Sequence, residues 1–446
     1  MAKKASVKFV CSSCGAAFGS WTGRCNTCGE WNTIQEKIDT TLSLRGHKGM
    51  LDPRPLSQVL VQDTVARIPT AMPDLDTVLG GGLVPGGVVL LAGEPGIGKS
   101  TLLLQVAAAV QKHGKVLYVS GEESAHQVAM RATRLGVVAD HIDIASTAAT
   151  NDIAATIQKG GYQLAIVDSI QTVGVEEISS SLGSVSQITN STQLLSAAAK
   201  ASNTALILVG HVTKEGSIAG PKVLEHTVDA VLQLEGDRYG GFKLLRSIKN
   251  RFGATGETGI FEMTEKGLAS VANPSAALLA ERQIADGSVV HATIEGSRAL
   301  LVEIQALVNP TSYGYPKRAA SGFDSNRLNL LIAMLERRTK LKLGDKDIYI
   351  NVVGGIRLNE PAADLAVVMA IASAAKGMQL KKHAVVFGEL GLSGELRHVP
   401  MTEKRVQEAK KLGFDGAIGP QVSKKITGLV SVKTVREALN TFLEKE

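Results

Sequence analysis

At 446 residues the chain is too long for one ordinary core, so two or three domains are expected. Apolar residues at 44% and charged residues at 20% exclude an extensively disordered chain, and 46 glycines with only 4% aromatics suit α/β domains better than an aromatic-rich β-sandwich. The net charge of +6 includes a local excess, eight Lys/Arg against four Asp/Glu through Arg54, of the kind that attracts polyanions such as nucleic acid.

The apolar runs, such as 88–92 and 205–209, are strand-length, so no membrane span is expected. Basic residues 1–4 precede no apolar h-region, so no secretory signal is expected either. All four cysteines sit in one cluster, which points to metal binding in a reducing cytoplasm rather than to disulfides.

The first block, 8–32, holds those cysteines and both tryptophans. Cys11-x2-Cys14 and Cys25-x2-Cys28, ten residues apart, supply four soft ligands in two knuckles for one tetrahedral Zn²⁺. Four thiolates fill the shell, so the zinc is expected to be structural. Gly15 and Gly29 follow each pair, where a tight turn benefits from positive φ. A polar stretch at 40–54, ending in Pro-Arg-Pro, reads as a linker. The expected domains are a zinc-binding block at 1–37, a linker at 38–66, an α/β core at 67–270 and a C-terminal domain at 271–446.

Within the core, apolar strands at 88–92, 116–119, 164–168 and 206–210 alternate with helices at 99–112, 124–135 and 187–201, which implies βαβ units and a mostly parallel sheet. Segments 228–234 and 242–248 read as an antiparallel hairpin added to it. Between the first strand and helix, Gly93, Glu94, Pro95, Gly96, Ile97, Gly98, Lys99 and Ser100 match the P-loop pattern in full, followed by Thr101. The glycines let backbone N–H groups wrap the phosphates of ATP, Lys99 reaches the β/γ-phosphates, and Ser100 coordinates Mg²⁺. Asp168, ending an apolar strand, is the expected second magnesium partner; by itself it could equally cap a turn. Glu122 and Glu123 end the neighbouring strand. A carboxylate there can orient the attacking water, and Glu122 is favoured for this; alternatively, one of the two caps the helix starting near Ser124.

Downstream, helix 326–338, strand 347–353 and helix 362–376 follow two strand-like runs at 289–294 and 299–308, giving a second α/β or α+β domain.

The knuckles, the Walker A run Gly-Glu-Pro-Gly-Ile-Gly-Lys-Ser-Thr and the pentad Lys249, Asn250, Arg251, Phe252 and Gly253 together closely resemble the RadA (Sms) family of bacterial DNA repair proteins, over essentially the whole chain. That resemblance implies a RecA-like P-loop ATPase core with an N-terminal four-Cys zinc ribbon and a C-terminal Lon-protease-like α+β domain. It also implies a cytoplasmic, hexameric, DNA-dependent ATPase that migrates branches during recombinational repair. Its partners would be single-stranded and branched DNA and the RecA recombinase. The pentad lies just beyond the strand at 242–248; its cations suit a neighbouring subunit's nucleotide or DNA phosphates. His211 takes the place of a γ-phosphate sensor, and Lys214 and Lys222 fall in the DNA-binding loop that follows.

Two stretches, 354–366 and 388–397, resemble the proteolytic domain of Lon. Ala362 stands in the nucleophilic serine's place and Glu403 near the lysine's, with Lys404 adjacent, so no peptidase activity is expected. Lys317, Arg318 and Arg357 could serve DNA binding there. The alternative for the whole chain is a nucleotide-switched protein scaffold resembling circadian-clock RecA-like rings.

Overall fold

The computed structural model describes residues 7–31, 33–38, 66–211, 223–236, 242–312, 314–380 and 383–444. The linker stretch at 40–54, Lys214 and Lys222 lie outside the described residues. The chain divides into two compact units, with the boundary after Ser270.

The N-terminal block is a three-stranded antiparallel ribbon, β1 (Val7–Cys11), β2 (Ala17–Phe18) and β3 (Ile34–Ile38), in the order β2-β1-β3. Its core is small: Cys11, Cys25 and Ile34, flanked by Phe9 and Phe18. So little buried surface cannot hold a module of this size by itself, and a metal is the usual remedy.

The ATPase core contains β4 (Val88–Gly93), β5 (Val116–Ser120), β6 (Ile142–Ser146), β7 (Leu164–Asp168), β8 (Ala205–His211), β9 (Ala230–Gly236), β10 (Phe242–Asn250), β11 (Thr258–Thr264) and β12 (Gly267–Ser270). They form one sheet in the order β12-β11-β10-β9-β4-β8-β7-β5-β6. The six strands from β9 to β6 are parallel. Beyond them β10 runs antiparallel to β9, the expected hairpin pairing.

The helices are α1 (Pro73–Leu79), α2 (Lys99–Val110), α3 (Ala125–Arg134), α4 (Thr150–Gly160), α5 (Val185–Ser202) and α6 (Val223–Thr227). Successive β4 side chains enter opposite layers. Val89 and Leu91 pack with α2, while Val88 and Leu90 pack with α4 and α5. Both faces are therefore covered, which explains why the central strands are apolar without alternation.

This arrangement fixes the site. Gly93 pairs with His211 and Ser120 with Asp168, so the carboxyl ends of β4, β5, β7 and β8 meet along one rim of the sheet. In open α/β sheets that rim is where ligands bind.

The C-terminal unit is built on a seven-stranded mixed sheet that includes Ser288–Glu295, Arg298–Pro310 and Lys346–Val352, with helices Ser325–Thr339, Asp364–Lys376 and Thr402–Lys411. Its interior is partly ionic. Arg405, fully buried, donates to both oxygens of Glu360 at 2.8 and 2.6 Å, and the enclosed His291 ring lies 3.6 Å from the same carboxylate. Burial pushes the Glu360 carboxyl up, but the paired hydrogen bonds and the charge of Arg405, with the His291 ring close by, outweigh it and hold the group well below the usual carboxylate range. The resulting stabilisation is present above the unfolded value of about 4.3 and is lost as pH falls through the lower folded value.

Removing Arg405 strips the half-buried Glu360 carboxylate of its charged bidentate partner and leaves it the Ile294 N–H and the His291 ring. Arg405→Ala is therefore expected to destabilise this unit by about 3–5 kcal/mol at neutral pH. Calorimetric melting of the full chain measures it; a loss below about 1 kcal/mol would show that the pair contributes little.

Candidate functional site

In the ribbon, Gly15 and Gly29 sit at φ +74° and +77°, the left-handed conformation expected after each Cys pair. Their N–H groups donate to Cys11 O and Cys25 O, closing the two knuckles. The four Sγ atoms all lie within 4.8 Å of one another, and the Cys11–Cys28 and Cys14–Cys25 separations are both 3.6 Å. A zinc ion with bonds of about 2.3 Å has tetrahedral edges of roughly 3.8 Å, so the donor set fits that ion.

The P-loop runs from the end of β4 into α2. Lys99 turns back over it, its Nζ donating to Gly93 O at 2.8 Å and Glu94 O at 2.9 Å. Burial lowers the amine's pKa, opposed by the charges of Asp168, Glu122 and Glu94. Ser100 Oγ donates to Asp168 Oδ2 at 2.7 Å. A hydroxyl and a carboxylate held together give the hard oxygen donors that magnesium takes. The buried Tyr118 hydroxyl also donates to Asp168 Oδ2, at 2.8 Å, which fixes the carboxylate's aim. Desolvation and the neighbouring Asp168 charge push that phenol well above its ordinary value, so it stays a donor.

The two glutamates separate clearly. Glu123 pairs with Arg131 of α3, whereas Glu122 Oε1 accepts from Ser169 Oγ at 2.8 Å and lies 3.6 Å from His211 Nε2. Neither caps α3: Ser124 does so, in a reciprocal capping box with Gln127, which corrects the alternative raised from sequence. His211 Nδ1 sits 3.3 Å from Lys99 Nζ. The ammonium donates, so Nδ1 accepts and the ring proton belongs on Nε2, facing Glu122. Glu122, His211 and Lys99 thus form a polar chain along one wall of a cleft of about 290 Å³, with buried Ser169 holding Glu122 from behind. Pro95, Gly96, Gly98, Thr101 and Arg131 also line it.

Arg131 and Ser169 were not singled out in the sequence. Arg131 lies one helix away from the motif residues, and Ser169 meets Glu122 only through strand pairing.

The pentad occupies the opposite rim of the sheet. Asn250 pairs with Ala230 at the amino end of the parallel strands, so β10 extends through Lys249 and Asn250 rather than stopping at 248. Lys249 Nζ is turned onto two carbonyls, Glu225 O within α6 and Val228 O just after it. Asn250 is buried and donates to Val78 O. Phe252 packs against Gly87, and Gly253 meets Gly80 so closely that a Cβ on Gly253 would stand 2.9 Å from Gly80 Cα. Arg251 keeps its side chain 55% exposed, with Nη1 3.2 Å from buried Asp229. The fixed residues present one cation outward.

In the C-terminal unit, Ala362 is buried, Glu403 lies in the first turn of Thr402–Lys411, and Lys404 Nζ donates to Ser297 O at 2.9 Å. Lys317 and Arg357 are exposed, and Arg318 is half-buried.

A phosphate cradle with its lysine, hydroxyl and strand-end acid, set on the carboxyl rim of a parallel sheet in this order, makes the chain a P-loop ATPase of the RecA-like class. Family models agree: residues 53–217 match an AAA domain, 9–36 a rubredoxin metal-binding domain and 324–423 the ChlI subunit of Mg-chelatase. The chain belongs to the family of DNA repair protein RadA. Proteins of that name from Listeria monocytogenes, Halalkalibacterium halodurans and Escherichia coli are 46%, 45% and 43% identical to it. Each match covers 99% of this chain and 99–100% of the relative. No helix among the described residues is long and apolar enough to cross a membrane.

Proposed function

We propose that the chain is a DNA-dependent ATPase that works in the cytoplasm as a homo-hexameric ring, driving branch migration on recombination intermediates, with single-stranded and branched DNA and the RecA recombinase as partners. The observation that carries this reading is the polar chain from Lys99 through His211 to Glu122. It joins the phosphate-binding lysine to the residue that ends β8, immediately before the segment holding Lys214 and Lys222. A group placed between phosphate and loop can report nucleotide state to a bound strand.

The roles follow from the geometry. Ser100 and Asp168 would hold a magnesium ion, which would supply positive charge to the phosphate oxygens. Lys99 binds the β/γ-phosphates and stabilises the charge that develops there. Glu122, free of Arg131, orients water, and Ser169 holds its carboxylate. Glu123 serves to anchor α3. Zinc on Cys11, Cys14, Cys25 and Cys28 holds the ribbon folded. Ala362 offers no hydroxyl, and the amine of Lys404, next to Glu403 in sequence, is tied to Ser297 O, so the C-terminal unit acts as a scaffold without peptidase activity.

The test is ATP turnover with and without single-stranded DNA. Stimulation is expected for the wild type. Arg251→Ala should keep nucleotide binding while branch migration falls by about tenfold or more, because its cation acts away from its own P-loop. Equal turnover with and without DNA would favour the protein-scaffold alternative.

A further inference from the structure

The chain has two tryptophans, and both lie on the zinc ribbon with most of their surface in water: Trp21 is 60% exposed and Trp31 is 69% exposed. They are neighbours. A Cβ built on Gly23 would lie 3.7 Å from Trp21 Cη2 and 3.8 Å from Trp31 Cζ3, so the two benzo rings converge over a residue with no side chain. Arg24 completes the cluster, its guanidinium carbon 5.8 Å from the Trp31 ring centroid. Its Nε donates to Gly29 O at 2.7 Å, and an antiparallel bridge pairs Arg24 with Trp31. The platform is therefore held by the same turn that closes the second zinc knuckle.

We propose that Trp21 and Trp31 form a stacking platform for unpaired bases of a single strand, with the remaining N–H groups of Arg24 meeting its phosphates. This rests on the DNA-dependent reading above and names where the chain grips the strand. A stable protein partner needs about 800 Å² on each side, and two indoles supply about half of that at most. A base needs only one ring face, and stacking tolerates any sequence. Between Cys11 and Trp31 the one acidic side chain, Glu30, accepts a hydrogen bond from Ser13 at 2.7 Å.

Because the chain has no other tryptophan, its indole fluorescence reports this platform alone. Titrating full-length, zinc-loaded protein with oligo-dT should quench that emission. A Trp21→Ala, Trp31→Ala double variant should bind labelled oligo-dT at least about tenfold more weakly, and phenylalanine at both positions should restore most of the affinity. Equal zinc content and an unchanged melting temperature establish that the variants are folded. An abasic strand with the same phosphates should bind wild type as weakly as oligo-dT binds the alanine variant. Wild-type ATP turnover with DNA is measured in parallel. Stimulated turnover with unmoved emission and unchanged affinity of the alanine variant overturns the platform, assigns the rings to a protein partner and leaves the ATPase reading intact. Quenching without stimulated turnover supports the platform and counts against that reading.

Discussion

Lys99→Ala is expected to cut ATP turnover by about a thousandfold, equivalent to roughly 4 kcal/mol of barrier. The amine is the one cation enclosed by the P-loop carbonyls among the described residues, and the wall facing it carries Asp168, Glu122 and His211. Without it, developing phosphate charge on that side meets mainly carboxylates. Lys99→Met keeps most of the buried stem and should fall as far, which separates charge from packing. Phosphate release at saturating magnesium-ATP measures both. A rate within tenfold of wild type would remove this site as the catalytic centre.

The second large effect distinguishes adjacent residues. Glu122→Gln should lower kcat by about 10²–10³-fold while ATP is still retained, because an amide keeps the shape but cannot take or orient a proton in the same way. Glu123→Gln should cost far less than tenfold in kcat and show mainly as weaker anchoring of α3, since its partner is Arg131. Single-turnover hydrolysis with separately measured nucleotide binding tests the pair. A reversed order, with Glu123 the more damaging, would refute the assignment of Glu122.

Much of this was legible because the chemistry is local. Two Cys pairs, a nine-residue phosphate loop and apolar strands ending in Asp168 are each contained within one turn or element. The edge of the sheet was not legible. Strand β6 has one buried residue, Ile142, among exposed or half-buried neighbours, so it carries no apolar run to find. Helix α4 follows it without a side-chain cap at Ala149, and so lacks a start signal. The choice between Glu122 and Glu123 also needed tertiary contacts: Arg131 is eight positions from Glu123, and Ser169 is 47 from Glu122. Ser124 and Gln127 did announce a cap for α3, and heeding that pair would have released both glutamates from the role.

The P-loop leaves the carboxyl end of β4, while Arg251 follows β10 beside the amino ends of β9 and β4, about 15–20 Å away along those strands. Each copy of the core accordingly has a front and a back. Contacts that join the back of one copy to the front of the next would repeat in one direction, into a ring where the rotation closes and a filament where it does not, with the arginine of each copy facing its neighbour's phosphate loop. Specific activity would then climb with protein concentration, and dilution alone would silence an enzyme whose every residue is intact.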